Sequence, residues 1–240
     1  MRYSNAILKG RDCSCTGTAV LYFEKPDGFT FRPGQFANFT LDSPIATDAG
    51  GSTRTLSIAS APHEKDLMVA MRMRDTGFKR AAGALPIGAP FLLEGPYGNL
   101  ILHKDVARPA VFLAGGIGIT PFRSMIWHAM EVGSAHKISL FYSIRRLEGA
   151  AFLRELREIQ ELNPRFKFIP TITHAEGILH DWPGELGHIT EPMLTKWLPD
   201  FQSPIFYIAG PPGMVAGMRQ ILCDANVSDD DIRAEEFAGY

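Results

Sequence analysis

Apolar and polar positions follow two different patterns in the two parts of the chain. From residue 110 onward, short apolar runs alternate with stretches whose apolar residues recur at helical spacing, such as Phe122, Met125 and Ile126. The runs indicate buried strands and the other stretches indicate amphipathic helices. Predicted strands span 110–114, 137–142, 166–172 and 204–209, and predicted helices span 120–131, 150–162, 191–198 and 213–225. This alternation predicts a parallel sheet covered by helices.

The first hundred residues show a different pattern, in which short and partly alternating segments are separated by turns rich in glycine and proline. Predicted strands span 16–25, 35–41, 53–59, 67–73 and 90–95, with one short helix over 78–85. Short strands with regular turns predict an antiparallel barrel or sandwich. We therefore expect two domains, an all-β domain over residues 1–104 and an α/β domain over residues 105–240.

Composition narrows the classes of function. The chain has 240 residues, of which 45% are hydrophobic and 21% charged, with a formal net charge of -2. These values are typical of a soluble globular protein and give no general attraction to nucleic acid or anionic membrane. The sequence shows no apolar run of membrane-spanning length and no signal peptide, so we expect a cytoplasmic protein without a membrane span.

The chain has three cysteines, Cys13, Cys15 and Cys223. An iron–sulfur cluster normally takes four thiolates, so we expect none in this chain, and no other metal site. Cys13 and Cys15 could form a redox pair or half of a metal site. We interpret them instead as neighbouring strand residues whose side chains share one face.

A glycine-rich segment between a predicted strand and a predicted helix is the first candidate for chemistry. It contains Gly115, Gly116 and Gly118, followed by Thr120 and Pro121. Thr120 suits the N-cap of the helix and Pro121 its first position. Glycines let phosphates approach the main chain, and a helix N-terminus favours an anion. A tight strand-to-helix turn without a ligand is the alternative.

Three further segments could take part in ligand binding. Arg54 and Ser57 lie three apart in a predicted strand, so they should point to opposite faces. A short helix begins near Thr76, where free N–H groups could hold phosphate. Near the end of the chain, Gly210 and Pro211 follow another buried strand. Parallel sheets bind ligands at the carboxyl ends of their strands, so this turn and the glycine-rich segment could face one ligand.

Together these segments resemble the ferredoxin–NADP reductase superfamily, over nearly the whole chain. The resemblance implies a flavin-binding β-barrel followed by a nicotinamide-nucleotide domain. It also implies a flavoprotein that passes a hydride from NADPH or NADH to bound FAD. Electrons would continue to a carrier such as ferredoxin or flavodoxin, or to a partner oxygenase.

The family's flavin motif, Arg-x-Tyr-Ser, matches Arg54-Thr55-Leu56-Ser57. By this match, Arg54 would bind the FAD pyrophosphate and Ser57 would hydrogen-bond flavin N5. Leu56 replaces the usual tyrosine, so stacking on the flavin becomes plain apolar contact. The strand beside the flavin ring and the phosphate turn that follows match Met71, Arg72, Met73, Gly77, Phe78 and Lys79. Lys79 stands where many relatives have serine or threonine.

The nicotinamide loop of the family matches Gly115, Gly116, Gly118, Thr120 and Pro121, and its second glycine turn matches Gly210, Pro211 and Met214. Ala209 replaces the family's cysteine there. Glu235 and Phe237 match a Glu-x-aromatic motif, in which Phe237 would cover the flavin face; Tyr240 is the rival for that place. By the same resemblance, Ser57, Glu235 and Phe237 are the candidate catalytic residues.

Coenzyme choice in the family depends on the residues after the second strand of the nucleotide domain, here Ser143, Arg145 and Arg146. Guanidinium groups suit a 2′-phosphate, which favours NADPH over NADH. Two alternatives stay open. One is a free-flavin or ferric-chelate reductase that holds its flavin loosely. The other is a non-catalytic flavin-binding sensor or regulatory subunit, suggested by Leu56 and Ala209.

Overall fold

The computed structural model describes residues 2–41, 51–174 and 182–237. Contacts between Cα atoms divide the chain into two compact units. The first contains residues 1–101 and 120–128, and the second contains residues 102–119 and 129–240. The predicted domain boundary between residues 104 and 105 stays a prediction.

The first unit is an antiparallel sheet of six strands with one helix. Its elements are β1 (Arg2–Asp12), β2 (Thr18–Glu24), β3 (Phe36–Thr40), β4 (Thr53–Ser57), β5 (Asp66–Arg72), α1 (Gly77–Ala84) and β6 (Pro90–Tyr97). The strand order is β4-β3-β6-β1-β2-β5. An antiparallel bridge between Ile58 and Val69 joins the segments at the two sheet edges, β4 and β5. The sheet therefore curls on itself as a barrel, as predicted.

Alternating side chains fill the interior of this barrel. On β3, Ala37 and Phe39 are fully buried, whereas Phe36, Asn38 and Thr40 are only half-buried. The rings of Phe23 and Phe91 meet edge to face with centroids 4.8 Å apart. Burial of such aromatic rings is the main stabilising contribution to a core of this kind.

The second unit is a parallel sheet covered by helices. Its order is β10-β9-β8-β7-β11-β12. The strands are β7 (Ala110–Gly115), β8 (Ile138–Ile144), β9 (Phe166–Ile172), β10 (Glu185–Leu186), β11 (Ile205–Gly210) and β12 (Ile232–Glu236). The helices that follow these strands along the chain are α2 (Ile119–Glu131), α3 (Leu153–Leu162), α4 (Glu191–Trp197) and α5 (Pro212–Asp224), and residues 120–128 of α2 are grouped with the first unit. Every residue of β7 and β11 is buried, as expected for central strands covered on both faces. The predicted fold class is confirmed.

The interpretation of Cys13 and Cys15 as strand residues is wrong. β1 ends at Asp12, whose carboxylate accepts a hydrogen bond from the Ser14 N–H at 2.8 Å. This local bond stabilises a turn, so both cysteines lie in the connection to β2. Cys13 is exposed, and neither cysteine is in a disulfide.

The predicted start of α2 is also wrong. A short 3₁₀ helix over Gly116–Gly118 precedes α2, with Gly115 in the cap position and no side-chain cap. The backbone has therefore begun to turn before Thr120, which lies within α2 and is 2% exposed. Thr120 is not the N-cap, and Pro121 is the third residue of the helix.

None of the helices in the described part of the chain is both long enough and apolar enough to cross a bilayer.

A buried arginine fastens the segment 120–128 of α2 to the loop after β4, both in the first unit. The Arg123 side chain is 4% exposed, and its Nη1 and Nη2 donate to the two carboxylate oxygens of Glu64 at 2.8 and 3.1 Å. Nη1 also donates to the Ala59 carbonyl at 2.8 Å, and the Ser124 hydroxyl donates to the Ser60 carbonyl at 2.7 Å. A bidentate arginine with a buried carbonyl partner fixes this loop in one geometry.

We expect Arg123→Met to lower the free energy of unfolding by about 3 kcal/mol, because it leaves the buried Ala59 carbonyl without its donor and removes both guanidinium bonds to the Glu64 carboxylate, which retains the Ala61 N–H. The matched control is Arg154→Met, which removes a guanidinium that is 94% exposed and pairs with Glu158 on the same helix. That change should cost less than about 0.5 kcal/mol. Urea unfolding of both variants measures the difference, and equal losses would contradict a structural role for Arg123.

Candidate functional site

The flavin motif identified from the sequence lies at β4 of the first unit. Arg54 and Leu56 share one face of the strand, and Thr55 and Ser57 share the other, as strand geometry requires. The Arg54 guanidinium lies over the Phe78 ring at 5.1 Å, and its Nη1 donates to the carbonyls of Gly51 and Thr53, both at 2.8 Å. Arg54 is thus held beside α1, and Ser57, 7% exposed, lies on the opposite face.

The middle residues of the motif have partners within the barrel. The Thr55 hydroxyl donates to the Asn38 side-chain oxygen at 2.7 Å. Leu56 is 5% exposed and belongs to the hydrophobic core of the barrel. The apolar surface of Leu56 is therefore already in contact with protein.

Positive charge gathers at the start of α1. The Thr76 hydroxyl caps this helix by accepting from the Lys79 N–H at 3.4 Å, and Gly77 and Phe78 are buried. Lys79 is 7% exposed although it carries an ammonium group. Burial lowers the pKa of Lys79, and the positive charges of Arg74 and Arg54 lower it further. Cations that repel one another at a helix N-terminus are stabilised by an anion, and this donor set fits a diphosphate.

The strand predicted to lie beside the flavin presents its side chains elsewhere. Met71 is fully buried in the barrel core, and Met73 packs against that core. Arg72 donates to the Thr18 hydroxyl at 2.8 Å and to the Thr16 carbonyl at 3.3 Å. The Arg72 guanidinium is therefore engaged with β2 and the turn before it.

In the second unit, two loops meet at the carboxyl ends of β7 and β11, and glycines lie at that contact. A Cβ at Gly118 would lie 2.1 Å from the Ala209 carbonyl oxygen, and one at Gly115 would lie 2.2 Å from the Met214 sulfur. Gly210 packs closely on the Gly115 backbone. At these positions, close packing within a tight strand-to-helix turn is enough to explain the glycine, and no ligand is needed to explain it.

Gly116 differs from its neighbours. Its φ is +54°, which disfavours other residues, and no atom lies within 4 Å of the position a Cβ would take. Its backbone thus borders open space at the carboxyl end of the central strand. Pro211, at the N-cap of α5, and Met214 form the wall opposite Gly115.

The residues predicted to choose the coenzyme lie at the end of β8. Ser143 pairs with Gly115 of β7 and is half-buried. Arg145 and Arg146 follow the strand directly, and both side chains are exposed. The Arg145 carbonyl accepts from the His174 N–H at 3.0 Å, which holds the main chain at this position.

Glu235 lies on β12, a strand that the sequence analysis missed. β12 pairs in parallel with β11, which places Glu235 beside Ala209. Burial raises the pKa of Glu235 to about 7, and its Oε2 atom is buried with no hydrogen-bond partner in the described part of the chain. The Phe237 N–H donates to the Gly210 carbonyl at 2.9 Å, and its side chain is 9% exposed. Tyr240 lies outside the described residues.

Comparisons of the sequence with known proteins find a nucleotide-binding family model and oxidoreductase relatives. Residues 112–220 match a family model described as the oxidoreductase NAD-binding domain. The chain is similar to one polypeptide of the Na(+)-translocating NADH-quinone reductase of Pseudoalteromonas atlantica, with 27% identity over 232 residues, 90% of this chain and 56% of that polypeptide. The chain spans about half the length of the curated relatives it matches. It covers 56% of this polypeptide and 51% of the counterpart from Marinomonas sp..

Two solved structures share the fold. Amycolatopsis cytochrome P450 reductase GcoB aligns with a TM-score of 0.83 at 21% identity, covering 99% of this chain and 70% of that one. A ferredoxin NADP+ reductase from Neisseria gonorrhoeae with bound FAD and NADP aligns with a TM-score of 0.79 at 21% identity, covering 98% of both chains. This likeness extends over both units of the chain.

The raised pKa of Glu235 predicts how stability depends on pH. The folded pKa lies above the usual value of 4.5, so the folded state keeps this proton to higher pH than the unfolded state. Stability should therefore fall as pH rises from about 4.5 through about 7. Relative to wild type, Glu235→Gln should gain about 2 kcal/mol of unfolding free energy between about pH 5 and about pH 8.

The matched control is Glu236→Gln, which changes the next residue of β12, whose side chain is exposed. It should leave the slope of stability against pH unchanged. Denaturant unfolding at several pH values measures all three proteins. Parallel curves for Glu235→Gln and wild type would show that this carboxyl group titrates normally.

Proposed function

We propose that the chain is a member of the ferredoxin–NADP reductase superfamily and that it is a flavoprotein reductase driven by NADPH or NADH. FAD in its first unit would accept the hydride at N5 and release electrons one at a time to another redox protein. The observation that carries this proposal is the buried Lys79 beside Arg54 and Arg74 at the start of α1. Such a group of cations favours an anion, and FAD carries a diphosphate.

Each candidate residue of the first unit has a proposed role in binding the flavin. Arg54, Lys79 and the N–H groups of the first turn of α1 would bind the diphosphate. The Ser57 hydroxyl would orient N5, and the backbone from Met71 to Met73 would lie along the ring. The remaining candidates would shape this site indirectly, through their contacts with neighbouring residues. They are Thr55, Leu56, Gly77 and Phe78.

The second unit would hold the nicotinamide dinucleotide at the carboxyl ends of its strands. The open backbone at Gly116 would border the dinucleotide, with Gly115, Gly118, Thr120 and Pro121 setting the path of the loop. Gly210, Pro211 and Met214 would form the neighbouring wall. Glu235 would hold a proton near neutral pH and offer it as a hydrogen-bond donor, and Phe237, rather than Tyr240, would cover the flavin face.

For the electron acceptor we propose a class of protein rather than one particular protein. The similar proteins described above are named for quinone reduction, for cytochrome P450 and for ferredoxin. We propose a redox carrier protein, such as ferredoxin or flavodoxin, or a partner oxygenase. The three cysteines of the chain fall short of the four thiolates of an ordinary iron–sulfur cluster, so such a centre would be held by another segment or another protein.

Anaerobic mixing of the purified protein with NADPH and with NADH tests the reductase assignment. We expect the protein to stay yellow through gel filtration and its visible flavin absorbance to bleach rapidly with at least one coenzyme. A colourless protein that reduces added flavin would instead support the free-flavin reductase. Bound flavin that neither coenzyme reduces would support the sensor or regulatory subunit.

We propose NADPH as the preferred coenzyme, because Arg145 and Arg146 are exposed directly after β8. Arg145→Ala should raise KM for NADPH about tenfold and KM for NADH less than about twofold, since only NADPH carries a 2′-phosphate. Arg154→Ala, which removes another exposed arginine of the same unit, is the control and should change neither. Steady-state kinetics with both coenzymes measures this, and equal effects on the two would remove the assignment.

A further inference from the structure

We propose that Phe36 and Tyr97 form the aromatic surface on which the flavin ring stacks, in place of the tyrosine that the family carries at the position of Leu56. The inference rests on the proposed function, because it takes FAD as the ligand of the first unit. It adds two residues that the motif comparison did not single out.

Leu56 is poorly placed to supply this contact. It is 5% exposed and packs into the barrel core, and its partner across the sheet is Ala37, which is fully buried. Its side chain is aliphatic, so it offers no face for stacking. A flavin ring beside Ser57 would need its aromatic contact from another element.

The register of the sheet places two aromatic residues in one row with Ser57. Phe36 of β3 pairs with Ser57 of β4 on one side and with Tyr97 of β6 on the other. Directly paired residues point to the same face of a sheet. That face is the outer one, because the next residue of β3, Ala37, points into the core. Two strand spacings make this row about 10 Å long, which is comparable to a three-ring heterocycle.

The two rings are in contact and partly open to ligand. Their centroids lie 6.0 Å apart with 47° between the planes. Tyr97 is 40% exposed, which makes it the most exposed of the Phe, Tyr and Trp side chains that the structure describes. Phe36 is half-buried. An exposed aromatic ring braced by a second ring is a typical platform for a flat heteroaromatic ligand.

The turn after β6 is shaped to hold Phe36 in this position. Gly98 has a φ of +93°, and a Cβ there would lie 2.8 Å from the Phe36 ring. The Gln35 side-chain N–H donates to the Gly98 carbonyl at 3.1 Å, which ties β3 to this turn. The close approach of Gly98 fixes the Phe36 ring, and Phe36 in turn supports Tyr97.

The test compares Tyr97→Leu and Tyr97→Phe in the full-length protein loaded with FAD. A phenol ring stacked on flavin quenches its fluorescence by giving an electron to the excited ring and taking it back. Tyr97→Leu should weaken FAD binding about tenfold, a typical value for one lost stacking contact, and should brighten the bound flavin. Tyr97→Phe should keep FAD affinity within about twofold and still brighten the flavin, because phenylalanine stacks but does not donate the electron.

Tyr22→Leu is the matched control, since it makes the same change on β2, two strands away from β6 in the sheet. A change in affinity or brightness in the Tyr97 variants beyond that of Tyr22→Leu supports the contact. Tyr97→Phe keeps the test valid if Tyr97→Leu does not fold. Wild-type protein that binds no FAD would overturn the proposed function and this inference together. FAD-loaded Tyr97 variants that match the control in both measurements would overturn the inference alone.

Discussion

The close approach of two loops at the carboxyl edge of the second sheet is the constraint on which its proposed coenzyme site depends. A Cβ at Gly118 would clash with the backbone carbonyl of Ala209, and one at Gly115 would displace the Met214 side chain. Because these residues are committed to one another, the two loops present a single fixed edge. Gly116 is left to face open space, so the rigidity of its neighbours is what would make its backbone a precise binding surface.

A different constraint governs the barrel. Its α1 begins with a buried lysine near two arginines, and burial together with the charges of Arg74 and Arg54 lowers the pKa of Lys79. Perturbed pKa values cluster at functional sites. Binding a dianionic group would offset the repulsion among these three cations, which would favour the diphosphate of FAD.

The sequence predicted the sheet of the second unit well because its central strands are continuous apolar runs. Predicted and observed bounds agree at β9, residues 166–172 in both. Three strands were missed because their patterns are short or weak: β1 mixes polar and apolar residues, β10 has only two residues, and β12 alternates only from Ile232 to Glu235 between charged neighbours. The alternation in β12 was the available signal for a strand. Periodicity could not show which glycine faces open space or that the Glu235 carboxyl oxygen Oε2 is buried, because both depend on elements distant in the sequence.

The two departures from the family motif have different structural consequences, which bears on the non-catalytic alternative. Leu56 is absorbed into the barrel core on the face opposite Ser57, and the proposed aromatic contact with the flavin would come from Phe36 and Tyr97, which lie in one row with Ser57. Ala209 is fully buried beside Glu235 and brings no polar group to it. The lack of a polar neighbour helps to leave the Glu235 carboxyl desolvated, and desolvation is what raises its pKa to about 7. A carboxyl group that keeps its proton near neutral pH can still donate a hydrogen bond. The replacement at Ala209 therefore changes which group would contact the nicotinamide without removing the capacity for that contact, and neither departure alone favours a sensor over a reductase.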